Sequence, residues 1–191
     1  MILIRKTALL LLFFALPMLL RAQALLVEDG DLTRIELGAN FNYFHANAPP
    51  GQCGCFSLYG GSFTTAFNLR RTLAIVADVA VAHANHVDNT DQNITIVNYL
   101  FGPRYTRRTS SRFVPYGQVL FGGAKEDVNF LFVINRNAFG LAAGGGVTTR
   151  LNHRFGLNLV QADYVYTRIP NAHSNSQNNI RISTGLTYHF K

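Results

Sequence analysis

The chain has 191 residues and a formal net charge of +7, with 14% Asp, Glu, Lys and Arg against 48% hydrophobic and 12% aromatic residues. Its length suits one domain, and its arginines are scattered rather than clustered with aromatics on one element, which argues against nucleic acid as a partner. Past residue 24 no apolar run reaches the ~20 residues of a membrane-crossing helix, so any membrane insertion must be by strands.

The first element is a leader. Arg5 and Lys6 precede an almost unbroken apolar run from Thr7 to Leu20, and Ala22-Gln23-Ala24 supplies the small-x-small pattern of a cleavage site. This predicts a cleavable export signal over 1–24, with 25–33 as a lead-in and 34–191 as the folded domain. No Cys follows the cleavage site, so a lipoprotein anchor is not indicated. Arg5, Lys6 and Arg21 leave with the signal, and the remaining basicity is mild.

Eight segments then show the period-two alternation of strands with one apolar and one wet face. Arg34 to Phe44 puts Ile35, Leu37, Ala39, Phe41 and Tyr43 opposite Glu36, Gly38, Asn40 and Asn42. In Phe56 to Asn68 the Gly60-Gly61 pair interrupts the pattern, which predicts a bulge there. Thr72 to Ala84 carries Asp78 alone on a small-residue face, and Thr95 to Thr106 turns Asn98, Gly102 and Arg104 inward. Arg112 to Ala124 aims Phe113, Val119 and Phe121 outward with Tyr116 and Leu120 opposite. Asn137 to Arg150 has Gly140, Gly144, Gly146 and Arg150 on its inner face. In Phe155 to Arg168 the apolar parity switches, so a second bulge is expected between Leu159 and Ala162, returning Gln161 and Asp163 to the inside. Asn179 to Phe190 alternates strictly, with Arg181 and His189 on the wet face and an aromatic finish at Tyr188 and Phe190, behind which only Lys191 follows.

Connections at 45–55, 85–94, 125–136 and 169–178 read as long and polar, whereas 69–71, 107–111 and 151–154 are short. Long connections on one side and short ones on the other mark an outer-membrane barrel with both termini on the short-turn, periplasmic side. A soluble up-and-down barrel would line its interior with apolar residues, and here the inner positions read Glu, Asn, Asp, Arg, Gln and His. The predicted fold is therefore all-β: an eight-stranded antiparallel up-and-down transmembrane β-barrel. It is expected to be monomeric, set in outer-membrane lipid and lipopolysaccharide, without metal or cofactor. Tyr43, Phe44, Phe56, Tyr59, Tyr99, Tyr105, Tyr164, Tyr166, Tyr188 and Phe190 read as interfacial girdles.

The stretches Phe101-Gly102-Pro103-Arg104-Tyr105, Pro115-Tyr116 to Phe121-Gly122-Gly123, Ala143-Gly144-Gly145-Gly146-Val147, Gln161-Ala162-Asp163-Tyr164 and Asn178-Asn179-Ile180-Arg181-Ile182-Ser183-x-Gly185 resemble the small outer-membrane β-barrel proteins related to the transmembrane domain of outer-membrane protein A. The resemblance implies insertion by the barrel assembly machinery, with Tyr188 and Phe190 as the assembly signal. Lys191 departs from a terminal aromatic. No peptidoglycan-binding domain follows the barrel, so tethering to the cell wall is not implied.

The inward charges Glu36, Asp78, Arg104, Arg150, Asp163 and Arg181 form the leading candidate site. An eight-stranded lumen is only wide enough to be filled by side chains, and opposite charges there should pair, Asp163 and Glu36 with Arg104 or Arg181. A structural plug is the expected role, which makes the chain a structural or surface-display barrel. A narrow porin-like channel or hydrophobic-solute conduit is the alternative, and a lipid A-modifying hydrolase is remote. His173-Ser174 lacks both the hydrolase spacing and an orienting carboxylate, and His83, His86, Asp88 and Asp91 read as a solvated loop, so no enzyme is expected. Cys53 and Cys55 in the first long loop would close a very tight ring if bridged. The Asn93-Ile94-Thr95 triplet carries little meaning in a bacterial setting.

Overall fold

The alternating segments form eight strands: β1 (Ile35–Asn47), β2 (Cys55–Asn68), β3 (Leu73–Ala84), β4 (Asn93–Thr106), β5 (Phe113–Phe130), β6 (Phe132–Arg150), β7 (Phe155–Thr167) and β8 (Gln177–Phe190). The computed structural model describes residues 33–47, 55–85, 93–108, 112–130, 132–169 and 176–190. Each strand pairs antiparallel with the next, and β1 closes on β8 from Ile35↔Phe190 to Ala46↔Asn179, which leaves no open sheet edge.

The short connections are held by their own hydrogen bonds. At Leu69–Thr72 the Leu69 and Arg70 amides both donate to the Leu73 carbonyl, at 2.9 and 3.0 Å. At 151–154 the Asn152 side-chain oxygen accepts from the Arg154 and Phe155 amides, each at 2.8 Å, the local capping that Asn provides in turns.

Two expected interruptions have different outcomes. The bulge in β7 is present: pairing moves from Asn158↔Gly185 to Gln161↔Ser183 with one residue extra, so Leu159 and Val160 both face outward and Gln161 and Asp163 return inside. The bulge in β2 is not, because Gly60 and Gly61 pair in unbroken register with β1 and β3. Gly60 is there for room: a Cβ on it would collide with the Val81 carbonyl and lie 2.7 Å from the Ala82 Cα.

The β5–β6 connection also differs from expectation. Residues 125–136 read as a polar loop, yet the two strands continue as a paired ladder up to Phe130↔Phe132. Backbone pairing across a hairpin satisfies its own donors and acceptors, so charged Lys125, Glu126 and Asp127 are compatible with strand.

The outer face is a continuous apolar surface that includes Phe41, Phe63, Phe67, Ile75, Val79, Phe101, Phe121, Ile180, Ile182 and Leu186, all substantially exposed. Tyr43 lies 5.4 Å from Tyr59 between ring centres, and Tyr188 lies 5.3 Å from Phe155 and 4.7 Å from Phe190. Phe44 and Phe56 do not join these girdles. Phe44 shares the parity of Glu36 and Asn42 and is 1% exposed, and the unbroken register of β2 carries Phe56 to the inside as well.

The lumen consequently has three levels. Towards the long connections apolar side chains predominate, among them Phe44, Phe56, Leu58, Ile94, Ile96, Leu100, Leu120, Val165 and small alanines, with buried Asn98, Glu126, Thr167, Gln177 and Asn179 set between them. A polar, charged layer follows at mid-height. At the short-turn end lies a cavity of about 680 Å³, a volume that includes its open mouth.

Candidate functional site: a charged belt across the lumen

The mid-lumen layer is built by inward positions on seven strands. Asp163 on β7 stands directly opposite Arg181 on β8. The Arg181 guanidinium donates to Asp163 Oδ2 through Nε at 3.0 Å and Nη2 at 2.7 Å, and its Nη1 reaches Asp78 Oδ1 on β3 at 2.5 Å. All three side chains are at most 2% exposed. One cation between two carboxylates leaves this cluster with an excess negative charge, which neutral donors moderate. Thr64 donates to Asp78 at 3.2 Å, and Gln161 and Gln118 donate to Asp163 at 2.6 and 3.3 Å.

Arg104 joins the same belt indirectly. Its Nε and Nη2 donate to Gln118 Oε1 at 3.0 and 2.8 Å, and its guanidinium rests 4.4 Å from the Tyr116 ring centre. The Tyr116 hydroxyl donates to Gln161 at 2.7 Å, Asn158 donates to Asn40 at 3.1 Å, and Asn40 donates to Thr64 at 3.3 Å. Hydrogen bonds thus run from β1 through β2 and β3 and back through β8, β7, β5 and β4. The glycines of β6 complete the layer by leaving space: a Cβ on Gly144 would lie 2.5 Å from Asp163 Oδ1, and one on Gly146 would lie 2.7 Å from the Tyr116 hydroxyl.

Glu36 is not part of the belt. Height along the barrel separates it from Arg104 and Arg181, and it pairs instead with Arg108 at 2.8 Å and His189 at 3.7 Å near the short turns. Arg150 also stays apart, exposed at the mouth of the cavity. Of the bridging residues, alternation already turns Tyr116, Gln118 and Gln161 inward, whereas uncharged Thr64 and Asn158 give little signal in the sequence. Arg108 falls in a stretch that reads as a turn, yet it continues the inward parity of Arg104 and Thr106.

Cys55 is exposed at the start of β2, while Cys53 lies outside the described residues, as do His86, Asp88, Asp91, His173 and Ser174. His83 makes hydrogen bonds with Thr95 and Asn85 on the exposed surface. Among the described residues no group of three or more His, Cys, Asp or Glu is arranged to hold a metal ion.

Residues 7–190 match the family described as outer membrane protein beta-barrel domain. No curated protein sequence gives a significant match. Among solved structures, Neisserial surface protein A is similar with a TM-score of 0.65 and 17% identity, over 82% of this chain and 97% of that one. Ail, the attachment invasion locus protein of Yersinia pestis, aligns with a TM-score of 0.55 and 16% identity over 81% and 98% of the two chains. The outer membrane protein OprG of Pseudomonas aeruginosa gives 0.53 and 15% over 82% and 95%. With a family match spanning the barrel and an architecture shared with outer-membrane barrels, the chain belongs to the outer membrane protein beta-barrel domain family.

Proposed function

We propose that this protein is a sealed outer-membrane barrel whose role is structural or surface-displaying rather than conducting or catalytic. The observation that carries this reading is the Arg181–Asp78–Asp163 belt, capped on one side by the apolar fill from Phe44 to Val165. An ion crossing the lumen must separate buried pairs and then pass the closely filled, mostly apolar layer beyond them, and each step costs several kcal/mol. The short turns face the periplasm and the long connections face outward, in keeping with the general asymmetry of such barrels. The surface and attachment roles named for two structural relatives accord with this orientation.

Two experiments test the parts separately. Liposomes carrying the refolded protein should not swell in small sugars or amino acids, and swelling above that of empty liposomes would favour the narrow-channel reading. Orientation is tested in a Cys53→Ser variant, where a membrane-impermeant maleimide on intact cells should label Cys55. Labelling only after the outer membrane is breached would reverse the assignment.

A further inference from the structure

The cavity at the short-turn end is unlike the belt above it. Arg104, Arg108 and Arg150 line it together with Glu36 as its carboxylate, and Arg108 and His189 already engage Glu36. Among the described residues no carboxylate lies within ion-pair distance of Arg104 or Arg150. Arg104 commits Nε and Nη2 to a neutral amide, and the buried Nε of Arg108 has no hydrogen-bond partner among the described residues. Thr106, Thr148 and Thr187 add hydroxyls to the wall, and Tyr116 holds the Arg104 guanidinium in place by stacking. Around the mouth, Arg34, Arg70, Arg71, Arg107, Arg112 and Arg154 are all exposed on the same end of the barrel.

A concave, partly desolvated pocket with an excess of guanidinium donors, rimmed by further positive charge, attracts and orients oxyanions. The rim raises the local concentration of anions, and the planar forks inside match a phosphate or carboxylate face. We infer that the short-turn cavity is a binding site for a phosphate-bearing group, held by Arg104, Arg108 and Arg150. The site does not depend on whether the belt above it is sealed. Two sources present that chemistry at this end of the barrel: a soluble phosphorylated solute entering the mouth, and the headgroup of an anionic phospholipid in the adjoining leaflet.

The test uses the full barrel in phosphatidylcholine nanodiscs, with the arginine Nε–H resonances followed by NMR. Titration with glycerol 3-phosphate at constant ionic strength, balanced with chloride, should shift the resonances of Arg104, Arg108 and Arg150 along one saturable curve. Arg168, near the opposite end, should not follow it. Arg150→Gln, an exposed substitution that spares the belt, should weaken the apparent affinity about tenfold, the scale of one charge-assisted hydrogen bond. Inorganic phosphate in place of the ester tests whether the phosphate alone suffices. Replacing phosphatidylcholine by phosphatidylglycerol separates the sources: the same shifts without added solute identify the lipid headgroup, and their absence there identifies the soluble one. The inference is overturned if neither phosphate nor phosphatidylglycerol moves the three resonances, or if Arg168 shifts along the same curve as they do.

Discussion

Arg181 pairs with both Asp78 and Asp163 in a layer where all three side chains are almost completely withdrawn from solvent. Truncating it to Met strands two carboxylates, and the loss of one partner from a buried pair costs about 3–5 kcal/mol. The urea midpoint of the refolded barrel, read from the gel shift between folded and unfolded forms, should therefore fall sharply in Arg181→Met. It should recover substantially in Arg181→Met combined with Asp78→Asn and Asp163→Asn. The two glycines of β2 give a second contrast at this scale. Gly60→Ala drives a methyl into the β3 backbone and should destabilise by about 1–3 kcal/mol, whereas at Gly61 the nearest atom to an added Cβ is the Asn40 carbonyl oxygen at 3.4 Å, and its replacement by Ala should be tolerated. A folded midpoint equal for both variants would refute that distinction. Parity in the sequence was enough to turn Glu36, Asp78, Arg104, Asp163 and Arg181 inward. It could not set their heights, because a period of two defines a face and leaves register open. That is why Glu36 was assigned to Arg104 or Arg181 when its partners are Arg108 and His189.

The β7 bulge is the element on which the belt depends. Its extra residue lets Phe155 and Leu157 face outward below it while Gln161 and Asp163 face inward above it. Deleting Val160 alone restores plain alternation and keeps both halves on their faces, but deleting Leu159 and Val160 together forces one half of β7 to exchange faces, which sets Asp163 against the outer surface or Phe155 in the lumen. The double deletion should lose the heat-modifiable folded band on a denaturing gel, while the Val160 deletion and a single Gly insertion in the 151–154 turn should keep it. The bulge was legible because the apolar parity changes within one segment. The extension of β5 and β6 was not: Lys125, Glu126 and Asp127 look like loop residues, and hairpin pairing beyond the apolar band satisfies the backbone whatever the side chains are. The apolar half of the lumen was hidden for a related reason. In β3 both faces are otherwise apolar, Leu73 to Val81 outside and Ala74 to Ala82 inside, so Asp78 alone marks which face is the core.

Over the whole molecule, closure of the sheet and filling of the lumen are linked. An eight-strand barrel leaves an interior that side chains can occupy fully, and this chain divides that interior into an apolar layer, a charged belt and a basic cavity open at one end. The architecture was readable from alternation and the unequal connections, since both follow from having lipid outside and two different compartments at the ends. Sealing is a property of the assembled layers and rests on their heights, which no single strand reveals. Single-channel recording of the refolded wild-type barrel in a planar bilayer tests it most directly. A sealed lumen gives a flat baseline with no stable steps under an applied potential. Reproducible, long-lived conductance steps from the wild-type protein would contradict it.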